Sequence, residues 1–373
     1  MRQCLIDLST NDILLVKGPA VLRRCEGNVM VLGKEIKGEV TVRAAKILPF
    51  ETKGSSKVQV RTYGNGTCRI ARGHFTAGVS IWKDVADRMR EKPKRIMLVG
   101  ATDTGKSTLT TYLCNMANAN SLKVGVTDGD VGQADLAPPG CIGAAMIGKQ
   151  FLDLREVNAE YFSFIGSISP MGMEDLVIDN IKKILDKLSK GTDICVINTD
   201  GYVDEHGIDY KIALAKTIKP DLIVYIGDVL KKFDEFEVVR VSAPTSITKT
   251  RADREQRRLQ QYARFLGGRR HIFELREKNF AFKGKVYEYG ILNGDLIRIQ
   301  NTLLPLDVLK GMFVGLGMGC DARGFGIITR IASGKILVET PYEDEFDTII
   351  LSNIAVSLAP PRERILFRIQ DLA

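Results

Sequence analysis

The segment Gly100-Ala101-Thr102-Asp103-Thr104-Gly105-Lys106-Ser107 constrains this chain more than any other. It matches G-x-x-x-x-G-K-[S/T] at every fixed position. A buried run, Ile96–Val99, precedes it, and a helix-forming stretch from Lys106 to about Ala119 follows. That order predicts a strand, a loop whose backbone N–H groups turn inward, and a helix whose positive end faces the same point. Such a loop cradles nucleotide phosphates. Lys106 would reach the β and γ phosphates, and the Ser107 hydroxyl would hold Mg²⁺. Gly100, Thr102, Asp103, Thr104, Gly105, Lys106, Ser107 and Thr108 are thus the expected nucleotide-binding residues.

Around this loop the chain alternates between strand and helix. Val124–Thr127, Tyr161–Ile165, Ile194–Asn198 and Leu222–Ile226 read as strands, and Met173–Ser189 and Ile208–Ile218 as helices. The alternation predicts an α/β fold, with a central parallel sheet covered by helices on both faces. Glycine-punctuated runs such as Leu14–Val16, Val29–Leu32, Val40–Val42 and Val58–Val60 predict a small N-terminal β domain over 1–90. Ile81 to Lys94 reads as a short polar helix and a linker. The phosphate-loop domain is expected over 91–279. A second flanking β domain, in the form of a small barrel, is expected over 280–373.

Composition narrows the function classes. The chain has 373 residues, and 45% are hydrophobic, enough to fill several cores. Its seven cysteines form no C-x-x-C pair and it has three histidines, which argues against a zinc site of ordinary spacing. The odd cysteine count and the absence of a signal-like leader predict a reducing, cytoplasmic setting. No stretch is apolar enough to span a membrane. The net charge is +8 and it is not spread evenly: residues 1–90 hold 16 Lys and Arg against 8 Asp and Glu, while the rest balances. An N-terminal domain of this sign is expected to attract a nucleic-acid backbone.

Further candidates lie where strands end. Asp128-Gly129-Asp130-Val131-Gly132-Gln133 closes the second strand. Asp130 is placed either to help hold hydrated Mg²⁺ or to accept a proton from an attacking hydroxyl. Arg251, Arg254, Arg257, Arg258 and Arg264 follow a loop read over Pro244 to Thr250. On a helix, Arg251, Arg254 and Arg258 share a face, which suggests a lid that neutralises phosphate charge. Gly166-Ser167-Ile168-Ser169-Pro170 and Asn198-Thr199-Asp200-Gly201-Tyr202 supply small hydroxyls and an aromatic that could hold a nucleic-acid end. The place of a guanine reader is taken by Thr248-Lys249-Thr250-Arg251, with arginine where aspartate is needed. ATP is therefore the expected donor, with GTP or another NTP as the alternative.

Taken in order, GATDTGKST (Gly100 to Thr108), DGDVGQ (Asp128 to Gln133), GSISP, NTDGYV and the arginine segment resemble the polynucleotide 5′-hydroxyl kinase family, its archaeal branch in particular. Val16-Lys17-Gly18-Pro19-Ala20, Val314-Gly315-Leu316 and Gly324-Phe325-Gly326-Ile327 extend the resemblance over most of the chain. It implies a P-loop kinase-like fold and transfer of an NTP γ-phosphate to the 5′-hydroxyl of RNA, or of DNA, in RNA processing. It also implies protein partners in that processing. Lys106, Asp130, Arg254 and Arg258 would then be catalytic, and Ser107 and Asp130 would face the metal. Gln133, Ser167, Ser169, Thr199, Tyr202 and Arg251 would bind substrate. Tyr202 stands where many members carry tryptophan. Two other readings fit the residues: a non-catalytic nucleotide-binding scaffold, and a P-loop ATPase or GTPase switch.

Overall fold

The computed structural model describes residues 1–373 apart from 11, 45, 72–73, 90–93, 228–230, 243–248, 268, 275–277, 288–290, 293–295, 300–301, 333–334 and 369–373. Near the N-terminus, strands Arg2–Leu8, Ser56–Thr62, Ala20–Glu26 and Glu39–Val42 lie side by side in one antiparallel sheet. Lys34–Glu35, Val29–Val31, Ile47–Thr52, Ile13–Lys17 and Thr67–Ala71 make a second. Ser56–Thr62 buries every other residue, the period-2 pattern of a strand with one face on a core.

Helix α1 spans His74–Arg88 rather than beginning at Ile81. Its Trp82, Val85 and Ala86 are buried, and the Trp82 ring lies 5.8 Å from Tyr112. This packing outweighs the helix-weakening Gly78.

The central sheet runs in the order Tyr161–Phe164, Cys141–Ile147, Val124–Gly129, Ile194–Thr199, Arg95–Gly100, Leu222–Ile226, Val238–Val241. The five strands from Val124–Gly129 to Val238–Val241 are parallel. Cys141–Ile147 runs antiparallel to its two neighbours, so the sheet is mixed rather than wholly parallel.

Strand alternation divides the sheet's two faces. Ile96, Leu98, Val126 and Val224 pack with Leu109 and Leu113 of α2 (Lys106–Ala119) in a core that continues into Leu14, Val16 and Phe50. Met97, Val99, Ile197 and Ile223 face Ile178 and Ile181 of α3 (Glu174–Leu188) and Ile208 and Leu214 of α4 (Glu205–Ile218). Helix α4 begins three residues earlier than Ile208 because Asp204 caps it, accepting from Gly207 N at 2.9 Å.

The last α-helix among the described residues, α5, spans Arg251–Phe265 and opens with a capping box between Thr250 and Asp253. The strand after it, Arg269–Glu274, joins a seven-stranded C-terminal sheet in which it and Lys285–Tyr287 are the two edges. This sheet is open among the described residues, not a closed barrel. A hairpin of Ile354–Leu358 and Pro361–Ile365 lies against the back of α5, where Tyr262 is fully buried beside Phe313.

Candidate active site

The phosphate loop joins the central strand Arg95–Gly100 to α2. Gly105, at φ 95°, caps the helix in a left-handed conformation that leaves the α2 N–H groups unobstructed. Asp103 also has positive φ, 63°, which aspartate tolerates better than most residues. Thr104 turns inward, its hydroxyl donating to Ala101 O at 2.8 Å. Lys106 is 6% exposed and its Nζ donates to the carbonyls of Gly100 and Ala101, both at 2.8 Å. Burial pulls its pKa down to about 8, opposed by the charge of Asp130.

Lys106 and Asp130 line one cavity of about 680 Å³. The Oδ1 of Asp130 accepts from Gly132 N (3.1 Å) and Gln133 N (2.9 Å), a tight turn that fixes the carboxylate. Among the described residues Oδ2 accepts no protein hydrogen bond. Burial raises the pKa of Asp130, with Lys106 pulling the other way. Below it, Asp128 is completely buried and accepts from Asp135 N (2.6 Å) and Asn198 Nδ2 (2.9 Å). Its pKa is pushed up to about 7 by burial and by the neighbouring carboxylates.

Within the Asn198–Tyr202 turn the sequence singles out Thr199 and Tyr202, whereas the structure brings Asn198 to the phosphate loop. Alternation on the strand decides between Asn198 and Thr199. The Thr199 hydroxyl is buried and donates to Leu98 O at 2.7 Å, which makes it part of the sheet rather than a substrate ligand. Asn198 reaches Ser107 Oγ at 3.4 Å as well as Asp128, and its Oδ1 is buried without a partner.

The arginine segment closes one side of the cavity. Arg254 Nη1 donates to Asp103 Oδ2 at 2.8 Å, and Lys249 N donates to the same oxygen at 3.0 Å, so the lid is tied to the loop. Arg257 Nη2 straddles both oxygens of Asp135 at 2.5 and 2.6 Å. Burial works against the Arg257 charge, but Asp135 outweighs it and raises the pKa.

Arg258, expected in the site, is not there. Its guanidinium grips Glu363 of the C-terminal hairpin, Nε to the two oxygens at 2.9 and 2.8 Å. Arg251 is exposed at the start of α5 and lies outside the cavity lining. The lid loop expected over Pro244 to Thr250 falls mostly on 243–248, outside the described residues, as does Thr248.

Arg258→Gln is expected to cost about 3 kcal/mol of stability, because it strands a buried carboxylate. Its folded form should keep kcat within about tenfold, whereas Arg257→Gln should lose about 100-fold in kcat. Melting curves and single-turnover rates on both variants check this.

The remaining sequence candidates shape the loops around the site. Gln133 lines the cavity and donates to Gly132 O at 2.9 Å. Ser167 is buried and accepts from Ser169 N, and Ser169 accepts from Met171 N. The Tyr202 ring lies 6.5 Å from Tyr210. Gly201 packs so closely on Thr102 that any Cβ there would strike its backbone.

Three N-terminal cations also line the cavity: Lys17, Arg43 and Lys46. Lys46 pairs with buried Asp153 at 2.7 Å, and Asp153 in turn holds Arg155. Only Lys17 had any motif signal, as part of Val16-Lys17-Gly18-Pro19-Ala20.

The chain is similar to known proteins. Residues 100–268 fit the family described as mRNA cleavage and polyadenylation factor CLP1 P-loop. A polyribonucleotide 5′-hydroxyl-kinase of Pyrococcus horikoshii is 27% identical over 280 residues, covering 72% of this chain and 74% of its own. This chain is similar to the polyribonucleotide 5′-hydroxyl-kinases, most closely through its phosphate-loop region. A second archaeal kinase of that name, from Methanocaldococcus jannaschii, is 34% identical over 150 residues, covering 39% of this chain and 42% of its own. Among solved structures, Clp1p in the "wild-type Clp1p-Pcf11p (454–563) complex" superposes with a TM-score of 0.73 over 95% of this chain and 98% of its own, at 11% identity. At that identity the likeness shows the fold. The superposition extends through both flanking β regions.

Proposed function

We propose that this chain transfers the γ-phosphoryl group of a nucleoside triphosphate to the 5′-hydroxyl end of RNA. The observation that carries this reading is that Asp130, held through Oδ1 and with no partner on Oδ2 among the described residues, faces the same cavity as the phosphate-loop lysine. A carboxylate so placed can take the proton of an incoming hydroxyl.

The phosphate loop and α2 would hold the β and γ phosphates. Arg257 and Arg254 would meet the charge that builds on the transferred group. The base would lie toward Lys17, Arg43 and Asn65. Nothing in that lining selects guanine in the way an NKxD motif does, and this supports ATP as donor with other triphosphates accepted.

The donor set suits Mg²⁺, which favours hard oxygens and keeps several waters. Ser107 Oγ and Asp130, both on the cavity wall, would hold it, and it would supply charge neutralisation at the phosphates. The likeness to a structure titled as a complex with Pcf11p supports a protein partner in RNA processing.

Matched 5′-hydroxyl RNA and DNA oligomers, each with ATP and GTP, test the reading. The expected product is 5′-phosphorylated RNA with either donor. Oligomers that already carry a 5′-phosphate should be inert. RNA left unphosphorylated with every donor would overturn it.

The pH profile follows from two shifts. Asp130 must be ionised to accept a proton, and its pKa is raised, so activity falls as pH drops through a limb above the ordinary carboxylate range. Lys106 must be charged, so activity also falls as pH rises, from about 8 upward. A bound triphosphate favours the ammonium form and moves that second limb higher. At saturating NTP, kcat against pH should be bell-shaped, and Asp130→Asn should remove the acid limb.

A further inference from the structure

Away from the nucleotide cavity, two nucleophilic side chains touch. Cys4 lies on strand Arg2–Leu8, at the edge of the four-stranded N-terminal sheet. Cys68 lies on strand Thr67–Ala71, at the edge of the five-stranded sheet. Their sulfurs are 3.4 Å apart across the gap between the two edges, although 64 residues separate them in the chain. Cys4 is exposed and Cys68 half-buried, so a small reagent can reach the pair. Neither thiol takes part in the proposed phosphoryl transfer.

Two edge strands that meet at a dithiol leave little for a cross-link to distort. A disulfide needs its sulfurs about 2.05 Å apart, a modest closure from the observed contact. The enclosed loop would run from residue 4 to residue 68 and so hold most of the strands of both N-terminal sheets. It would also hold Lys17, which pairs with Thr67 beside Cys68, and Asn65, both on the wall of the nucleotide cavity.

We propose that Cys4 and Cys68 form a redox modification site, a dithiol that a low-molecular-weight disulfide oxidises to a cystine stapling the two N-terminal sheets. The Cys4 thiolate attacks one sulfur of the small disulfide, forms a mixed disulfide and expels one thiolate, which takes up the proton Cys4 gave up. Cys68, once deprotonated, attacks Cys4 Sγ, forms the internal bond and expels the second thiolate, which is protonated in turn. Two protein thiols are oxidised and one small disulfide is reduced to two thiols.

The order of attack follows from exposure. Burial, then the neighbouring Cys4 sulfur, push the Cys68 thiol up to about 11, so it suits the second step. Once Cys4 is held in the mixed disulfide, part of that opposition disappears.

The test exposes the full chain to oxidised glutathione and maps non-reduced peptides by mass spectrometry. Cys25 and Cys320, both exposed, report whether the reagent has reacted. The expected result is a peptide linking Cys4 to Cys68, with glutathione retained on Cys25 and Cys320 but not on Cys4. Cys68→Ser should trap glutathione on Cys4. In the wild-type chain, a lasting adduct on Cys4, or free thiols at both positions while Cys25 and Cys320 are modified, would overturn the proposal.

Discussion

Lys106→Ala should abolish phosphoryl transfer, by about 1,000-fold or more, in a protein that still folds. The side chain is nearly enclosed and is held by two carbonyls of its own loop, which fixes its charge beside the phosphate loop. The two lid arginines are each engaged by a carboxylate and do not take its place within the loop. Arg254 is engaged by Asp103 and Arg257 by Asp135. The structural cost is smaller: two loop carbonyls lose a donor, about 1–2 kcal/mol, and the core beneath α2 is untouched. A single-turnover transfer assay beside a melting curve separates the two effects. A variant that folds and transfers at the wild-type rate would show that the loop is not the site of chemistry.

Asp130→Asn is the second large effect, a loss of about 1,000-fold in kcat with the KM for nucleotide little changed. Asparagine keeps an Oδ1 that can accept from Gly132 N and Gln133 N, so the turn survives. What it removes is the ability to take a proton, together with the negative charge offered to a metal ion. This distinguishes a base from a turn-former, since a residue needed only for the turn would tolerate the amide. Equal losses in both parameters would instead point to a binding role.

The placement of the phosphate loop, Asp130 and Gln133 on one cavity is legible because each lies in a short contiguous motif at the end of a buried strand. The lid was legible as a helix but not in its register. The face shared by Arg251, Arg254 and Arg258 is real on a helical wheel, yet only tertiary packing decides what it meets. Glu363, which captures Arg258, lies 105 residues away, and no local pattern announces it. The strand Cys141–Ile147 carries little sequence signal because Gly143, Ala144 and Ala145 lack the branched side chains that mark strands. Gly143 is there because Leu136 packs where a Cβ would point.

The N-terminal charge changes meaning for the same reason. Counted along the chain it suggests attraction for a nucleic-acid backbone. In the fold, Lys17, Arg43 and Lys46 turn toward the nucleotide cavity, and Lys46 is neutralised by Asp153. Only the remaining cations, such as exposed Arg69, are left to face a polymer. Asp135 illustrates the limit of motif reading: two residues beyond Gln133, it is buried, anchors Arg257 and accepts on its carbonyl from Gln261 and Arg264.

The most direct measurement follows γ-labelled ATP in the presence and absence of a 5′-hydroxyl oligoribonucleotide and counts label on the RNA end and as free phosphate. The account predicts that nearly all released label appears on the RNA 5′ end, and that turnover without acceptor is slow. Steady release of free phosphate at the same rate with and without RNA, and no label on the oligomer, would contradict it.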